Sequence, residues 1–191
     1  MVKEPRPGKV KTRLGNDIGM VNAAWWYRHQ SLSILRSVIH PKWNTVIAVT
    51  PDIEGRRSRV WPRELKRISQ GMSDLGERML KILDSFRFSP ICIIGSDIPD
   101  VSSKNIERAF KLLMNKDFVL GPTLDGGFWL FGARKTRTIS RKTFKKVRWS
   151  SIHAYDDTIK TLGTERWASC DVLSDVDNES DYMNSQKKMT F

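Results

Sequence analysis

The stretch PICIIGSDIP, residues 90–99, runs apolar without a charged interruption as far as Gly95 and then closes on Ser-Asp. A strand with no polar face needs cover on both sides, and helices packed on a parallel sheet supply that cover. The neighbouring segments fit the requirement. Ile18, Val21, Ala24, Trp25, Leu32, Leu35, Val38 and Ile39 recur at helical spacing, with Arg28 and His29 towards the other side and Pro41 as the stop. TVIAVT (45–50) is a short β-branched strand ended by Pro51 and Asp52. LGERMLKILDSF (75–86) returns to helical period, and Ser102 or Ser103 caps a helix over NIERAFKLLM. DFVLGP and GFWLFGA read as two strands around a Leu-Asp-Gly-Gly turn, VRW (147–149) as a short strand, and SSIHAYDDTIKTL (150–162) as a helix capped by Ser150 or Ser151. CDVLSDVD (170–177) ends a last strand, and residues 178–189 form a terminal helix. Strands alternate with helices, without a repeat or a dividing linker. The expectation is one α/β domain over residues 1–191, with a mostly parallel mixed sheet flanked by helices.

At 191 residues, 39% of them hydrophobic, the chain is long enough to bury one sizeable core. No run approaches the roughly 18 apolar residues of a membrane-spanning helix, and the N-terminus lacks the apolar stretch of a secretory signal. Cys92 and Cys170 lie in no metal-ligand spacing, which suits reduced thiols in the cytoplasm. The formal charge is +12, and Arg134 to Arg148 holds eight basic residues and no acidic one. Such a field attracts anions: nucleotides, nucleic acid or an anionic lipid surface. A solvated basic loop has the same composition.

In α/β sheets ligands bind beyond the carboxyl ends of the strands, and four polar stretches fall at such ends. KEPRPGKVKTRL (3–14) lacks the Gly-Lys-Thr run of a Walker loop. Pro5 and Pro7 restrict its backbone, Gly8 permits a turn, and Lys9, Lys11 and Arg13 alternate, so an extended segment would point all three cations one way, as a di- or triphosphate requires. In GSDIP, Asp97 stands just past a buried strand and is placed to hold Mg²⁺ or Mn²⁺ with hard carboxylate oxygens; Asp100 has the weaker case and serves equally as a turn residue. GPTLDGG puts Asp125 in a tight turn. Asp-Gly alone reads as a hairpin, whereas the second glycine and the preceding Gly-Pro clear space as if a ligand approached the backbone. In SDVDNESD, Asp175 or Asp177 could complete a metal site, and a helix start capped by Asn178 is an equally good reading.

These stretches, in this order, resemble a bacterial family of glycosyltransferase-A-like proteins, the selenodomain-associated transferases or arsenosugar-biosynthesis glycosyltransferases. KEPRPGKVKTRL, SQGMSDLGERM, GSDIP, GPTLDGGFWLFG, VRWSS and LSDVDNESD carry the likeness over nearly the whole chain. The resemblance implies a nucleotide-diphospho-sugar transferase fold, related to the guanylyltransferases of molybdenum cofactor and of 2-phospholactate. It implies Gly8, Lys9, Lys11 and Arg13 as the phosphate-binding loop, Asp97 as the metal ligand, and Asp125 as a carboxylate near the acceptor or metal. Two departures stand out. Ser73 replaces a glycine before the Glu-Arg-Met, a change that turns tolerate. Relatives also begin with an apolar strand running into the basic loop, where this chain has only Met1 and Val2. Each buried hydrogen bond left unmade would cost roughly 1 kcal/mol, so the expectation is that the true start lies upstream.

The expected activity is therefore metal-dependent transfer from a nucleotide-activated donor: a sugar moved from a nucleotide sugar to a small acceptor. Asp125 would serve as base if configuration inverts. The runner-up is nucleotidyl transfer from a nucleoside triphosphate with release of pyrophosphate. A reading from another class is a non-catalytic module that holds nucleic acid or an anionic surface through residues 134–148, with Phe144 and Trp149 available for stacking. Trp25, Trp26 and Trp129 read as core before they read as stacking platforms.

Overall fold

The computed structural model of the chain describes residues 1–86, 88–136 and 139–189, the last four of these through the backbone alone. The basic stretch 134–148 is thus described apart from 137 and 138. The architecture is α/β, with one parallel and one mixed sheet flanked by helices. The chain divides into two compact units, Met1–Ser69 with Ser96–Val101 and Ser174–Phe191, and Gln70–Gly95 with Ser102–Leu173.

The first unit holds the parallel sheet, in the order β1 (Val2–Lys3), β2 (Val46–Thr50), β3 (Lys66–Ser69). Its helices are α1 (Thr12–Ile18), α2 (Met20–Val38), α3 (Asp52–Arg57) and α7 (Glu179–Met189). Val2, Ile47 and Val49 pack with Leu35 and Trp61, and a second cluster joins Val10, Leu14, Ala23, Ala24, Trp26 and Tyr27 to Val176. The helical stripe expected over 18–39 holds for Ala24, Leu35 and Val38, but Val21 and Trp25 are 69% and 64% exposed. The reason lies within α2, whose buried face runs through Ala24, Tyr27, Ser31, Ile34 and Val38, so that Val21 and Trp25 fall on the opposite side of the same helix.

The second unit orders its mixed sheet β4 (Ile91–Ile94), β6 (Phe128–Ala133), β5 (Phe118–Pro122), β7 (Trp167–Ser169). Helices α4 (Leu75–Asp84), α5 (Ser103–Leu113) and α6 (Ala154–Thr161) complete it. Ser102 caps α5 in a reciprocal box with Asn105, as the sequence suggests. Three expectations need correction. The apolar run before Gly95 pairs antiparallel with β6, not in parallel, because an apolar run reports burial and not the direction of its neighbour. VRW forms no strand: Phe144, Lys146 and Ser150 take positive φ and wind the segment into turns. Helix α6 starts after His153, not at Ser150 or Ser151. Val119, Leu120, Trp129, Leu130 and Phe131 form the centre of this unit, each at most 1% exposed.

Candidate functional site

The opening loop is built around a turn and a cation. Gly8 takes φ 70°, the left-handed conformation its position in the sequence calls for, and the Lys9 amide closes the turn on the Arg6 carbonyl at 3.0 Å. The alternation of Lys9, Lys11 and Arg13 does not survive, because Thr12 begins α1 and Val10 and Leu14 turn inward. Lys11 stands at the helix N-cap with φ 44° and ψ 51°, a conformation that costs a side-chain-bearing residue about 1–2 kcal/mol.

Compensation comes from two carboxylates. The Lys11 ammonium, its side chain 8% exposed, lies 2.7 Å from Asp97 Oδ2 and 2.7 Å from Asp177 Oδ1. Arg13 adds a 3.2 Å contact to Asp177 Oδ2 from an exposed position. Burial by itself pushes the Lys11 pKa down, but Asp97 and Asp177 together outweigh it and hold the ammonium well above the ordinary lysine value. Lys9 stays exposed. Of the proposed phosphate ligands, then, one is enclosed, one faces a carboxylate and one faces solvent.

Asp97 is positioned from behind by groups the sequence reading passed over. Tyr27 Oη accepts the Lys3 amide at 2.9 Å and shares a 2.7 Å hydrogen bond with Ser96 Oγ, while Ser31 Oγ donates to the Ser96 carbonyl at 3.1 Å. Burial is the main cause that raises the Tyr27 pKa, so the phenol keeps its proton and its hydrogen bonds. Tyr27 and Ser31 sit four apart on α2, and that spacing was the available signal. Asp177 is shaped by the start of α7: its amide donates to Asp181 Oδ2, and Asn178 Oδ1 caps the Asp181 amide at 3.0 Å. The Asn178 cap forms as the helix-start reading of SDVDNESD expects, and it leaves the Asp177 carboxylate facing Lys11. Carboxylate oxygens of Asp175 and Asp177 lie within 4.8 Å of one another.

Asp125 belongs to the second unit. Its Oδ1 accepts Thr123 Oγ1 at 2.5 Å and the Gly127 amide at 3.0 Å, which fixes the hairpin between β5 and β6. The glycines around it do not clear room for a ligand. A side chain at Gly127, the second glycine, would crowd the Thr123 hydroxyl and the Asp125 carboxylate, and one at Gly121 would strike the Trp129 indole. The space is taken by the chain itself. Trp129 and Trp26 are core, as expected, and Trp25 is not. Phe144 is 4% exposed and packs edge-on against Phe131, which removes it as a stacking platform for a base. The Cys92 and Cys170 thiols are both raised by burial, Cys170 to about 11, so neither is an activated nucleophile.

The bacterial family described as “Uncharacterized protein conserved in bacteria (DUF2064)” matches residues 34–151. The chain belongs to this family. Among solved structures, this DUF2064 chain is similar to a “putative nucleotide-diphospho-sugar transferase” from Desulfovibrio desulfuricans G20, at 30% identity and TM-score 0.82 over 93% of this chain and 80% of that one. The DUF2064 chain has a nucleotide-diphospho-sugar transferase fold. Two more distant structures share that fold. A homologue of Mycobacterium tuberculosis Rv0371c from Mycobacterium sp. strain JC1 has 12% identity and TM-score 0.54, over 86% of this chain and 83% of that one. Rv0371c from M. tuberculosis H37Rv, in complex with manganese, has 15% identity and TM-score 0.52, over 84% and 85%. No curated protein matches the chain. Among the described residues, no helix is long and apolar enough to cross a membrane.

Proposed function

We propose that the chain is a metal-dependent glycosyltransferase of the selenodomain-associated type, which moves a sugar from a nucleotide sugar to a small acceptor. In this reading residues 1–191 act as one transferase domain in the cytoplasm, where Cys92 and Cys170 stay reduced. The observation that carries it is the convergence of three sequence stretches on one buried ammonium: Lys11 from the basic loop, Asp97 from GSDIP and Asp177 from SDVDNESD. Three segments far apart in sequence meet there in a left-handed residue that is costly to hold, the kind of local strain that gathers at working sites.

The donor set fits a divalent ion by its chemistry. Asp97 and Asp177, with Asp175 beside Asp177, supply hard carboxylate oxygens, and the manganese complex of the distant neighbour Rv0371c lends that reading support. Bound there, Mg²⁺ or Mn²⁺ would neutralise charge on the diphosphate leaving group. The oxygens that would hold such an ion are those that now face the Lys11 ammonium. Lys11 displaced from them would then have its charge available to phosphate, next to Arg13 and Lys9 on the same loop. Tyr27, Ser31 and Ser96 hold the Asp97 backbone in place throughout. Asp125 is the candidate to accept a proton from the acceptor hydroxyl, since the two hydrogen bonds it takes engage Oδ1.

Calorimetric titration of UDP, GDP and their sugar derivatives, with and without Mn²⁺, tests this. Metal-dependent binding that weakens at least about tenfold in Asp97→Asn is the expected result, and its absence in the folded protein overturns the reading. Product analysis then decides the chemistry. Release of a nucleoside diphosphate supports sugar transfer, whereas pyrophosphate release identifies nucleotidyl transfer.

A further inference from the structure

The second unit contains a concavity of about 850 Å³ whose lining includes Lys135, Lys142, Lys145, Lys146 and Lys160, with Asp117 as its one carboxylate among the described residues. We propose that this concavity binds a small molecule carrying two or more phosphate groups, at a site separate from the Lys11 cluster. The volume lies within the ~300–1,000 Å³ of typical small-molecule sites. Asp117 does little to balance the lysines, because it already faces Arg166 Nε at 3.2 Å.

The lysines reach the concavity from three places in the chain: the end of β6, the turn after Ser140, and the last turn of α6. That turn is held rigidly. Thr143, Phe144 and Val147 are buried. The Lys142 amide donates to Ser140 Oγ, the Lys145 amide to the Lys142 carbonyl, and the Phe144 amide to Thr161 Oγ1 at 3.0 Å. Phe144 and Lys146 take φ 67° and 63°, a conformation unfavourable to both. Buried residues thus anchor the turn while Lys142, Lys145 and Lys146 stay exposed. Lys160 meets Asp157 at only 3.7 Å, with its side chain 73% exposed. Like charges collected on a fixed frame repel one another, and a compact polyanion relieves that repulsion while losing little entropy to order the site.

The shape and the lining favour a small ligand over a macromolecule. Among the described residues Phe118 is the one aromatic of the lining and is itself buried, so bases find no exposed ring there to stack on. A planar bilayer would meet such a concavity only at its rim.

Lysine acetylation footprinting of the full chain, read by mass spectrometry with and without tripolyphosphate and with no divalent metal, locates the site. The expected result is slowed acetylation at Lys142, Lys145, Lys146 and Lys160, with Lys104 and Lys111 on α5 unchanged. Calorimetry should show tripolyphosphate binding weakened about tenfold by the double substitution Lys142→Gln/Lys145→Gln, and also weakened by Lys160→Gln. Circular dichroism checks that each variant folds, and the exposure of these side chains favours that. Protection absent from these lysines overturns the proposal, as does affinity indifferent to both variants. Tighter, equally variant-sensitive binding of a single-stranded oligonucleotide or of phosphatidylserine vesicles overturns it in favour of a macromolecular surface. Asp97→Asn should leave the footprint in place, so failure here is distinguishable from failure of the transferase reading.

Discussion

In the first unit a single lysine is enclosed by carboxylates, while in the second unit five lysines line one concavity with a carboxylate that an arginine already holds. Both stretches look alike in sequence: basic, with few apolar residues and turn-forming neighbours. What separates them is the supply of acids from elsewhere in the chain. Asp97 and Asp177 reach Lys11 from 86 and 166 positions away, and with them the ammonium becomes part of the interior. Among the described residues no carboxylate pairs with Lys145 or Lys146, both of which are exposed, and the charge stays at the surface for a ligand. Identical chemistry at the side chain is thus enclosed by carboxylates in one place and exposed in the other.

The largest expected effect is on stability. Lys11→Met leaves Asp97 and Asp177 facing each other without a cation. Breaking a fully buried pair costs about 3–5 kcal/mol. With both carboxylates 32% exposed, the expected loss is about 2 kcal/mol, read as a lower urea midpoint. Lys145→Met should change stability by less than about 0.5 kcal/mol, and equal losses in the two variants would break the contrast. Next, Tyr27→Phe removes two hydrogen bonds behind Asp97 and should cost about 1–2 kcal/mol, with weaker Mn²⁺-dependent nucleotide binding measured by calorimetry.

A smaller effect lies in the alkaline range. The Lys11 pKa is raised in the folded protein, so its contribution is complete below the ordinary lysine value of about 10.4 and is lost as pH rises through the higher folded value. The gap in urea midpoint between the parent and Lys11→Met should therefore be full at pH 8 and begin to narrow above the ordinary lysine value. A gap that widens there would contradict the assignment. The smallest effect concerns Asp157, which Arg148 grips through Nε at 2.7 Å and Nη2 at 2.9 Å on the surface of the second unit. Hydrogen bonding to Arg148 holds this carboxyl well below the ordinary range, so its contribution is present at neutral pH and fades as pH falls below the ordinary aspartate value. Arg148→Gln should let Asp157 titrate near that value in carbon-detected NMR, with little change in stability at pH 7.

Much of the fold was legible in local pattern. TVIAVT, the DFVLGP–GFWLFGA hairpin and the helices at 75–84 and 103–113 each carry their own periodicity and turn residues, and they fold accordingly. What local pattern does not carry is partnership. β3, Lys-Arg-Ile-Ser, holds one apolar residue and is a strand because β2 pairs with it. β4 is apolar whichever way its neighbour runs. In the candidate site, Asp97 stands out because a carboxylate follows an apolar run. The fate of Lys11 does not, because the alternation of Lys9, Lys11 and Arg13 reads as extended chain, while Leu14 and Ile18, four apart, mark a helical turn. The glycines near Asp125 mislead for a related reason: a sequence shows that space is needed and not what fills it, here the Thr123 and Asp125 side chains beside Gly127 and the Trp129 indole beside Gly121.

The first unit draws on three separate stretches of chain, and the second on two. The polypeptide therefore passes from one unit to the other at 69–70, 95–96, 101–102 and 173–174. On a ribosome, every strand of the second unit is synthesised before Asp177 appears, whereas Lys11, made ahead of that whole unit, waits for it. Until then the early loop has one of its two counter-ions at most. The clamp on Lys11 is in this sense a late seal, closed by a residue near the far end of the described chain.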